Sequence, residues 1–488
     1  MNTFTRNIGR ALLASTLFAG SSGTAHADLN GAAFVHLFEW SWADIAKECE
    51  YLDKKGYAAV QVSPPQEHIQ GSEWWTRYQP VSYKLVSRSG DAQAFEKMVD
   101  TCHANNVKIY VDAIINHMAE GHATEVRQGM AGTPYQRESY SGLYEGSQGH
   151  FHPFCKTDNY KDQIITQGCN LLNMPDLRTG SEEVRTKIAD YLNHLISLGV
   201  DGFRIDAAKH IWTDDIENIL SRLNRRQIDG QPVEVFQEVI FRNTNEAVKP
   251  EQYYKNGLVT EFRWGDAIAA KFKRGHGTIY DFQQFDASSW KFVPSHKAVV
   301  FTDNHDDQRK TPCKVMNFRI DGPKYDLANV FMLAYPYGYP KVMSSYKYAD
   351  HDQGPPSNPV HSGDKPNCFG SDWECEHRFR PIANMVAFRK HTRPVSDTDY
   401  WFSAWGGQQI GFGRGNLGYV VINNSNSDLN QTIPTGMMPG TYCNIIEGDF
   451  EDSSCSGPTL KVDKSGKVLF NVPAGRAAAI HVGAKVGA

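Results

Sequence analysis

The 488-residue sequence lacks three features that would assign it to particular classes of protein. Beyond the N-terminal region, no stretch reaches the roughly 20 consecutive apolar residues that a transmembrane helix needs, so we expect no membrane partner. Basic residues are interspersed with acidic ones and the net charge is −5, so we expect no nucleic-acid partner. The sequence has neither an internal repeat nor a low-complexity tract, which argues against a repeat architecture.

The first residues have the three-part pattern of a secretory signal peptide. Arg6 and Arg10 precede an apolar run at 11–19, and small residues follow as far as Ala27. We therefore predict a signal peptide at 1–27 that is cleaved after Ala27, which makes the mature protein secreted and soluble.

Nine cysteines become candidates for disulfides once export is assumed. Two pairs are close in sequence, a third joins the apolar faces of two predicted helices, and a fourth follows by elimination. The four expected pairs are Cys368 with Cys375, Cys443 with Cys455, Cys49 with Cys102, and Cys155 with Cys169. Cys313 is left unpaired, and the sequence alone leaves exchanged pairings open.

Between residues 33 and 391, short apolar runs of strand length alternate with longer amphipathic stretches. This is the pattern of βα units, and eight candidate strands predict a closed (β/α)8 barrel. The candidate strands are 33–38, 58–63, 108–113, 202–206, 233–238, 257–261, 298–302 and 330–334. The clearest helix is 182–198, because apolar residues recur at helical spacing, Ser181 is placed to cap it and Gly199 to end it.

The same patterns predict three domains after the signal peptide. The barrel takes residues 28–116 and 176–392, and it is interrupted by an inserted subdomain at 117–175 that is rich in Gly, Tyr, His, Gln and Asn. After Thr392 the helical periodicity gives way to Gly, Asn and short alternating runs, which predicts an antiparallel β-sandwich at 393–488.

Acidic residues follow several of the predicted strands. Asp112, Asp206, Glu238 and the run at 303–306 stand at or just after the ends of the third, fourth, fifth and seventh strands. Because the C-terminal ends of all barrel strands meet at one rim, these side chains should converge there. Two carboxyl groups roughly 5 to 5.5 Å apart cleave a glycosidic bond with retention, one as nucleophile and the other as acid and then base.

Four segments around these residues form a set, with one segment for each of these strands. They are Asp112-Ala-Ile-Ile-Asn-His117, Gly202-Phe-Arg-Ile-Asp-Ala-Ala-Lys-His210, Gln237-Glu238-Val and Phe301-Thr-Asp-Asn-His-Asp306. The set resembles the four sequence signatures of α-amylases in glycoside hydrolase family 13, and the resemblance runs from about Gly31 to the C-terminus. The segments 73–85 and 342–346 resemble the animal-type, chloride-dependent branch of that family.

The resemblance implies a secreted enzyme that hydrolyses internal α-1,4 bonds in starch, glycogen and malto-oligosaccharides with retention. Asp206 corresponds to the nucleophile that forms the covalent glycosyl intermediate, Glu238 to the acid and base, and Asp306 to the carboxylate that grips the sugar in the transition state. The residues that match the sugar-binding cleft are Trp74, Trp75, Tyr78, Gln79, His117, Tyr160, Arg204, Lys209 and His305.

Two ion sites are implied in the same way. Side-chain oxygens and a histidine carbonyl suit a structural calcium ion, which is a hard cation. The matching calcium residues are Asn116, Gln167, Asp176 and His210. Chloride is expected as an allosteric activator, because a bound anion would offset the buried cations beside Glu238 and so favour its acid form. The matching chloride residues are Arg204, Asn304 and Lys341.

The chain departs from mammalian relatives in two places. Lys341 replaces an arginine, and because an ammonium cannot make the two-pronged contact of a guanidinium, we expect weaker chloride binding. Residues 307–313 replace a glycine-rich mobile loop, which leaves the positioning of substrate at this point open.

Two other kinds of function compete with this interpretation. A catalytically inactive barrel that serves as a partner chain in a transporter predicts missing carboxylates and a membrane anchor, and the sequence shows neither. Another enzyme on the same barrel, such as a transglycosylase, a maltogenic amylase or an α-glucosidase, would differ in its product profile. We expect a monomer whose partners are starch, glycogen and malto-oligosaccharides.

Overall fold

The computed structural model describes residues 32–273 and 275–487. The predicted signal peptide and its cleavage site after Ala27 lie outside the described residues. Within the described ranges, no helix combines the length and the apolar character that crossing a membrane requires.

Eight parallel strands close into a barrel in which each strand pairs with the next along the chain and the last pairs with the first. The strands are β1 (Phe34–Leu37), β2 (Ala59–Val62), β3 (Lys108–Ala113), β4 (Gly202–Ile205), β5 (Glu234–Gln237), β6 (Leu258–Thr260), β7 (Ala298–Val300) and β8 (Tyr339–Ser344). The predicted (β/α)8 barrel is confirmed, and its first seven strands lie within the predicted segments.

Nine α-helices are found within the described residues, most of them around the barrel. They are α1 (Trp42–Lys55), α2 (Ala92–Ala104), α3 (Gln163–Gly168), α4 (Glu182–Ser197), α5 (Thr213–Leu220), α6 (Phe262–Phe272), α7 (Phe318–Asp321), α8 (Pro323–Ala334) and α9 (Arg380–Thr392). Short 3₁₀ helices at Trp74–Tyr78 and Asp307–Arg309 carry residues of the rim.

The prediction of the eighth strand at 330–334 is wrong, because these residues form the end of α8. All residues from 327 to 334 are buried, so this part of the helix is nearly all apolar and shows no helical periodicity. A sequence cannot distinguish such a run from a buried strand. The true strand, β8, contains Pro340 and Lys341, which interrupt its apolar pattern.

Helix α4 matches the predicted helix at 182–198 apart from its last residue. Glu182 and Glu183 occupy the first turn, where carboxylates offset the positive end of the helix dipole, and Gly199 follows with a φ of 93°. The predicted cap is only partly right. Ser181 holds the N-cap position, but its side chain makes no capping hydrogen bond.

The barrel interior is layered, because inward-facing residues recur at every second position of a strand. The lowest layer is aromatic: the Phe34 ring centroid lies 5.5 Å from that of Tyr110, 5.3 Å from Phe236 and 4.9 Å from Tyr339. Two residues further along the strands, the next layer is buried and polar. It contains His36, Gln61, Asp112, Arg204, Glu238 and Lys341. The apolar layer thus seals the barrel below a charged layer that opens towards the C-terminal rim.

The chain leaves the barrel after β3 and returns before α4. This excursion holds two short paired strands, Arg127–Gln128 and Pro134–Tyr135, together with helix α3. A β-bridge between His117 and Asp176 joins the beginning of the excursion to its end. The inserted segment is therefore tied to the barrel close to the rim.

After α9 the chain forms an antiparallel all-β domain, which confirms the predicted sandwich. One sheet has the order β9 (Asp399–Ala404), β10 (Gln409–Gly413), β11 (Gly418–Asn423) and β16 (Arg476–His481). Opposite it, β12 (Leu429–Pro434) pairs with β15 (Lys467–Val472), and β13 (Gly440–Cys443) pairs with β14 (Thr459–Val462). Tyr419, Ile433, Phe470 and Ile480 belong to the core between these layers.

The structure contains all four disulfides that the sequence led us to expect. Cys49 with Cys102 links α1 to α2, and Cys155 with Cys169 closes a loop within the inserted segment. Cys368 with Cys375 and Cys443 with Cys455 close two further local loops. Cys313 is a half-buried free thiol.

Candidate active site

Arg204 lies at the centre of the polar layer and contacts three carboxylates. Its Nη1 donates to Asp206 Oδ1 at 2.8 Å and to Asp112, and its Nη2 lies 2.5 Å from Glu238 Oε1. The arginine side chain is only 2% exposed, so these contacts are shielded from water. One guanidinium therefore holds two of the predicted catalytic carboxyl groups side by side.

The backbone at the ends of β4 and β5 fixes these two side chains. The Asp206 N–H donates to the Ala113 carbonyl at 3.0 Å, and the Glu238 N–H donates to the Ile205 carbonyl at 3.0 Å, so the parallel ladder continues to the rim. Ala207 then adopts a left-handed conformation with a φ of 48°, and its N–H donates to Glu238 Oε2 at 3.0 Å. A non-glycine residue in this conformation is uncommon, and here it turns an N–H towards the glutamate.

Asp306 follows β7 and faces the same space. Its side chain is 30% exposed, so it is the most open of the three predicted catalytic carboxylates. Burial raises the pKa of Asp306 to about 7, with Glu238 and Asp307 adding to the shift. The neighbouring His305 Nε2 lies 3.8 Å from Asp306 Oδ2.

The carboxylates outnumber the cations in this layer. Burial raises the pKa of Asp206 well above its usual range and also raises that of Asp112, although Arg204 opposes both shifts. Four carboxyl groups share the charge of Arg204 and the nearby Lys341. Since not all of them can ionise together in a buried site, their mutual repulsion favours a partly protonated cluster.

One wall of the rim is aromatic. Tyr78 stacks on His305, with ring centroids 5.2 Å apart, and its hydroxyl donates to Asp112 Oδ2 at 3.0 Å. Trp74 meets both rings edge-on, at 5.9 Å from Tyr78 and 5.6 Å from His305. Trp75 is half-buried, and its indole N–H donates to Asp352 at 3.1 Å. The structure therefore brings Trp74, Tyr78 and His305 together beside the carboxylates.

Two other predicted sugar-binding residues make contacts at this wall. His117 is buried with its Nε2 at 2.9 Å from the Tyr78 carbonyl, and burial lowers the pKa of its ring to about 4. Gln79 is directed outward along the inserted segment, where its side-chain oxygen accepts the Glu120 N–H at 2.9 Å. His117 thus belongs to the site, whereas the Gln79 amide oxygen is already engaged elsewhere.

The opposite side of the rim is a cavity of about 300 Å³ that includes Glu238. The Lys209 ammonium lies 4.6 Å from the centroid of the Tyr160 ring, donates to the Ile240 carbonyl at 2.7 Å, and pairs with Glu246. The Tyr160 ring is 38% exposed and therefore presents a free aromatic surface. Glu246, which sequence reasoning missed, is the group that holds Lys209 in place.

The three residues predicted for chloride adjoin this cluster. Lys341 is buried and lies 4.8 Å from the Phe301 ring centroid, and within the described residues it has no hydrogen-bond or ion-pair partner. Burial lowers the pKa of Lys341 to about 8, and the like charge of Arg204 adds to the shift. The side-chain oxygen of Asn304 accepts the Asp307 N–H at 2.7 Å, so its NH₂ group is the part left to donate.

His36 was missed by the sequence reasoning and lies beside the same cations. It is buried in the polar layer, and neither of its ring nitrogens has a partner in the described part of the chain. Burial lowers its pKa well below the ordinary value, with Lys341 and Arg204 adding to the effect. His36 follows the inward-facing Phe34 by two residues on β1, and this spacing would have predicted that it faces the barrel interior.

Three of the four residues predicted for calcium lie where the inserted segment meets the barrel. Asn116 donates to the Asp176 carboxylate, which also accepts from His152 Nδ1 at 2.7 Å. His210 is buried, and its ring bonds the Thr166 carbonyl at 2.8 Å. Gln167, the fourth predicted residue, lies on α3 next to Thr166.

The side chain of Gln167 is fully engaged away from Asp176. Its Nε2 donates to the Tyr253 hydroxyl at 2.8 Å and to the Ile211 carbonyl at 3.1 Å, and its oxygen accepts from Gln163 at 2.9 Å. The backbone carbonyl of Gln167 is free of these side-chain contacts, and its side-chain oxygen keeps a second lone pair.

Arg309 is a further residue that sequence reasoning missed. Its guanidinium lies 4.1 Å from the ring centroid of Tyr348, 4.6 Å from Tyr346, 5.5 Å from Phe38 and 5.8 Å from Trp74. It also donates to a backbone carbonyl at residue 353, at 3.1 Å. The segment after Asp306 is thus anchored by one arginine within a group of aromatic rings.

Comparisons with known proteins agree with this geometry. The sequence matches the family described as "Alpha amylase, catalytic domain" over residues 27–337 and that described as "Alpha amylase, C-terminal all-beta domain" over residues 401–483. An alpha-amylase from Streptomyces violaceus is 42% identical over 92% of this chain and 73% of its own length. Pancreatic alpha-amylase 2a5 from Mus musculus is 39% identical over 94% of this chain and 96% of its own length.

Solved structures give the same result. A mutant of alpha-amylase I from Eisenia fetida in complex with maltohexaose has a TM-score of 0.85 at 35% identity, covering 92% of this chain and 97% of that chain. Its fold, sequence and domain order all correspond to those described above. The chain therefore belongs to the alpha-amylase family of glycoside hydrolases in both its catalytic barrel and its C-terminal all-β domain.

Proposed function

We propose that the protein is a retaining α-amylase that hydrolyses internal α-1,4-glucosidic bonds in starch, glycogen and malto-oligosaccharides. The observation that carries the proposal is the fork of Arg204, which contacts Asp206 through one nitrogen and Glu238 through the other. Holding both carboxyl groups on one rigid guanidinium supports the separation of roughly 5 to 5.5 Å that a retaining glycosidase needs.

The proposed reaction has two steps. Glu238, in its protonated form, gives its proton to the glycosidic oxygen as that bond breaks, and a carboxylate oxygen of Asp206 attacks the anomeric carbon to form an ester. Glu238, now ionised, takes a proton from water while the water oxygen attacks the same carbon and Asp206 leaves. The anomeric configuration is inverted twice and is therefore retained.

Neighbouring groups favour the positively charged transition state. Asp306 lies open to the sugar and accepts hydrogen bonds from its hydroxyls when ionised. Burial keeps His117 and His305 neutral by lowering the pKa of each ring, so neither places positive charge beside the oxocarbenium ion. Trp74 and Tyr78 form the aromatic wall that we assign to the donor side of the sugar.

A calcium ion fits the junction of the inserted segment and the barrel. Burial raises the pKa of Asp176 to about 6, so an ionised Asp176 is costly there unless a cation lies beside it. We assign to the ion the side-chain oxygens of Asn116 and Asp176 and the backbone carbonyls of Gln167 and His210. Such a hard-oxygen set suits calcium, whose role would be to stabilise this junction.

A chloride ion fits the region between Arg204 and Lys341. Both His36 ring nitrogens are buried without hydrogen-bond partners in the described structure, and the buried Lys341 stands in the same polar layer, which supports an anion as the group that these residues would contact. The Asn304 NH₂ group completes the donor set. A bound anion would oppose ionisation of the nearby carboxyl groups and so favour the acid form of Glu238.

Export of the protein is part of the same proposal. The pattern at 1–27 and the four disulfides support secretion followed by folding in an oxidising compartment. We assign cleavage after Ala27 and a monomeric mature enzyme.

Hydrolysis of starch by the wild type and by Glu238→Gln tests the function directly. We expect the wild type to abolish iodine staining rapidly, to release α-anomeric products and to respond to chloride, and we expect the variant to be inactive. Glu447→Gln, which changes an exposed carboxylate of the C-terminal domain, is the matched control and should behave as wild type. If the wild type is inactive but still binds starch, the protein is a binding protein and not an enzyme. Release of single glucose units from chain ends would instead indicate an α-glucosidase.

A further inference from the structure

A cavity of about 320 Å³ lies at the end of the barrel opposite to the catalytic rim. Ala32 precedes β1, His296 precedes β7 and Gly338 precedes β8, so these lining residues mark the N-terminal ends of the strands. Other lining residues come from α9, from the segment after it and from the C-terminal domain, where Arg414 directly follows β10. The cavity therefore lies where the barrel meets the all-β domain, and the reaction proposed above does not use it.

Three arginines line this cavity, whereas no acidic residue is found among the lining residues that the structure describes. Arg389 is 7% exposed and Arg414 is 1% exposed, while Arg393 lies on the surface. Two serine hydroxyls and a histidine ring add further hydrogen-bonding groups to the lining, and they belong to Ser295, Ser396 and His296. The lining is therefore both positively charged and rich in hydrogen-bond donors.

Two of the arginines also have a structural role. Arg389 donates to the Gly338 carbonyl at 2.7 Å and to the Tyr335 carbonyl, and Arg414 donates to the Ala334 carbonyl at the end of α8, also at 2.7 Å. A carbonyl group satisfies a hydrogen bond but does not neutralise a charge, and a guanidinium has five N–H groups. Anchoring of the backbone therefore accounts for only some of these donors and for none of the charge.

The positive charges of the cluster oppose one another. Burial lowers the pKa of Arg389 to about 9, and the like charges of Arg414 and Arg393 add to the shift. Burial also lowers the pKa of Arg414 to about 10, although Asp397 and Asp399, neither of which lines the cavity, oppose this shift. The Arg414 Nε is buried and has no hydrogen-bond partner in the described part of the chain. An anion in the cavity would relieve the repulsion between the arginines.

We propose that this cavity binds a small tetrahedral oxyanion, phosphate or sulfate, between Arg389, Arg393 and Arg414. Guanidinium groups suit such a ligand, because their planar N–H pairs match two oxygens of one oxyanion. A cavity of about 320 Å³ admits the ion together with water. Because the ion would contact both α9 and the C-terminal domain, it would stabilise their junction without reaching the catalytic cleft.

Equilibrium dialysis of the purified protein against labelled inorganic phosphate measures the binding directly. We expect the folded chain to retain one phosphate ion, which excess sulfate displaces and the same excess of chloride does not. Thermal denaturation in sodium sulfate at constant ionic strength gives a second measurement that avoids the complexes of phosphate with calcium. The Tm of the wild type should rise by a few degrees when sulfate exceeds its Kd by about 100 times.

Ser396→Glu tests the site from an exposed lining position. The new carboxylate lies beside the arginines and takes the place of the anion, so phosphate should bind about tenfold more weakly or not at all. In a buffer free of both oxyanions, this variant should have a higher Tm than the wild type. Thr432→Glu makes the same change of charge on the exposed side of β12, and this matched control should bind phosphate as the wild type does.

Arg393→Gln is a second and independent variant. It removes one positive charge and keeps a polar side chain, and an exposed arginine is a safer choice than Arg389, which anchors the backbone. We expect phosphate to bind about tenfold more weakly to this variant. A cooperative thermal transition and wild-type rates on starch would show that both variants are folded.

The outcomes separate this proposal from the proposed function. If the wild type retains no phosphate, or if the folded Ser396→Glu and Arg393→Gln variants retain as much as Thr432→Glu, the anion site is refuted. Equal displacement by chloride and by sulfate also refutes it, because a site built for a tetrahedral oxyanion distinguishes the two. A protein that hydrolyses starch but binds no phosphate keeps its proposed function, and one that binds phosphate but does not hydrolyse starch loses only that function.

Discussion

Replacing Lys341 by methionine should stabilise the protein while removing its response to chloride. Burial lowers the pKa of this ammonium to about 8, so the folded state holds the charge at a cost that the unfolded chain does not bear. Compared with an ordinary lysine near pH 10.5, the difference corresponds to about 3 kcal/mol at pH 7. Methionine has nearly the same length and no charge, so Lys341→Met should recover much of this free energy in a chloride-free buffer.

The pH dependence has a definite sign. Because the folded pKa lies below the unfolded one, the unfolded chain binds more protons between pH 8 and pH 10.5. The cost is therefore complete below about pH 8, and the free energy of unfolding of the wild type should rise with pH across this window. Lys341→Met should lack that rise.

Urea denaturation at pH 7 in sodium chloride and in sodium gluconate measures both effects. A ligand that binds only the folded state adds about 2.7 kcal/mol when its concentration is 100 times its Kd, so chloride should stabilise the wild type. Lys341→Met should be more stable than wild type in gluconate and should not respond to the anion. Lys347→Met removes an exposed lysine and should change stability by less than about 0.5 kcal/mol. A destabilised Lys341→Met in gluconate, or one that keeps the chloride response, would refute the reasoning.

Two further predictions concern stability. Burial lowers the pKa of His361, but hydrogen bonds to Asp44 and Glu48 more than offset this effect, so the pKa of the folded protein is raised. The stability that His361 contributes is therefore complete below about pH 6.5 and is lost as pH rises through the folded pKa. Thermal denaturation from pH 6 to pH 9 should show this decline in the wild type and a flatter profile in His361→Asn. Removal of calcium by a chelator should lower the wild-type Tm by several degrees, whereas Asp176→Asn should have the lower Tm from the start and should not respond to the chelator. If both proteins respond equally, the calcium assignment is contradicted.

The residues predicted at the rim lie together in the structure because two simple regularities hold there. Barrel strands alternate inward and outward residues, so an inward aromatic such as Tyr110 places Asp112 inward as well, and all strand ends meet at one rim. Asp206 and Glu238 follow directly from these two facts. The same alternation was available for His36 and was not used, which is why that residue entered only with the structure.

The sequence carries no signal where burial removes periodicity or where contacts are distant in sequence. Helix α8 is surrounded by protein over its last turns, so its apolar run shows no helical periodicity. In the strand that follows, Lys341 interrupts the apolar run that would have indicated a strand. The side chain of Gln167 donates a hydrogen bond to Tyr253, which lies 86 residues away, so the local spacing of residues could not predict this contact. Ser181 occupies the predicted cap position without forming the bond, since position alone does not orient a side chain.

The structure shows how the segment after Asp306 is held in place, which the sequence left open. Mammalian relatives are expected to carry a glycine-rich mobile loop there, whereas this chain has Arg309 held among aromatic rings and Asp307 paired with Arg242. Arg242 also pairs with Asp266 on α6, so both sides of the loop are connected to the barrel. In the proposed mechanism, Asp306 would therefore meet the sugar from a backbone that these contacts hold in place before substrate binds, and a group already in place loses little entropy when the transition state forms.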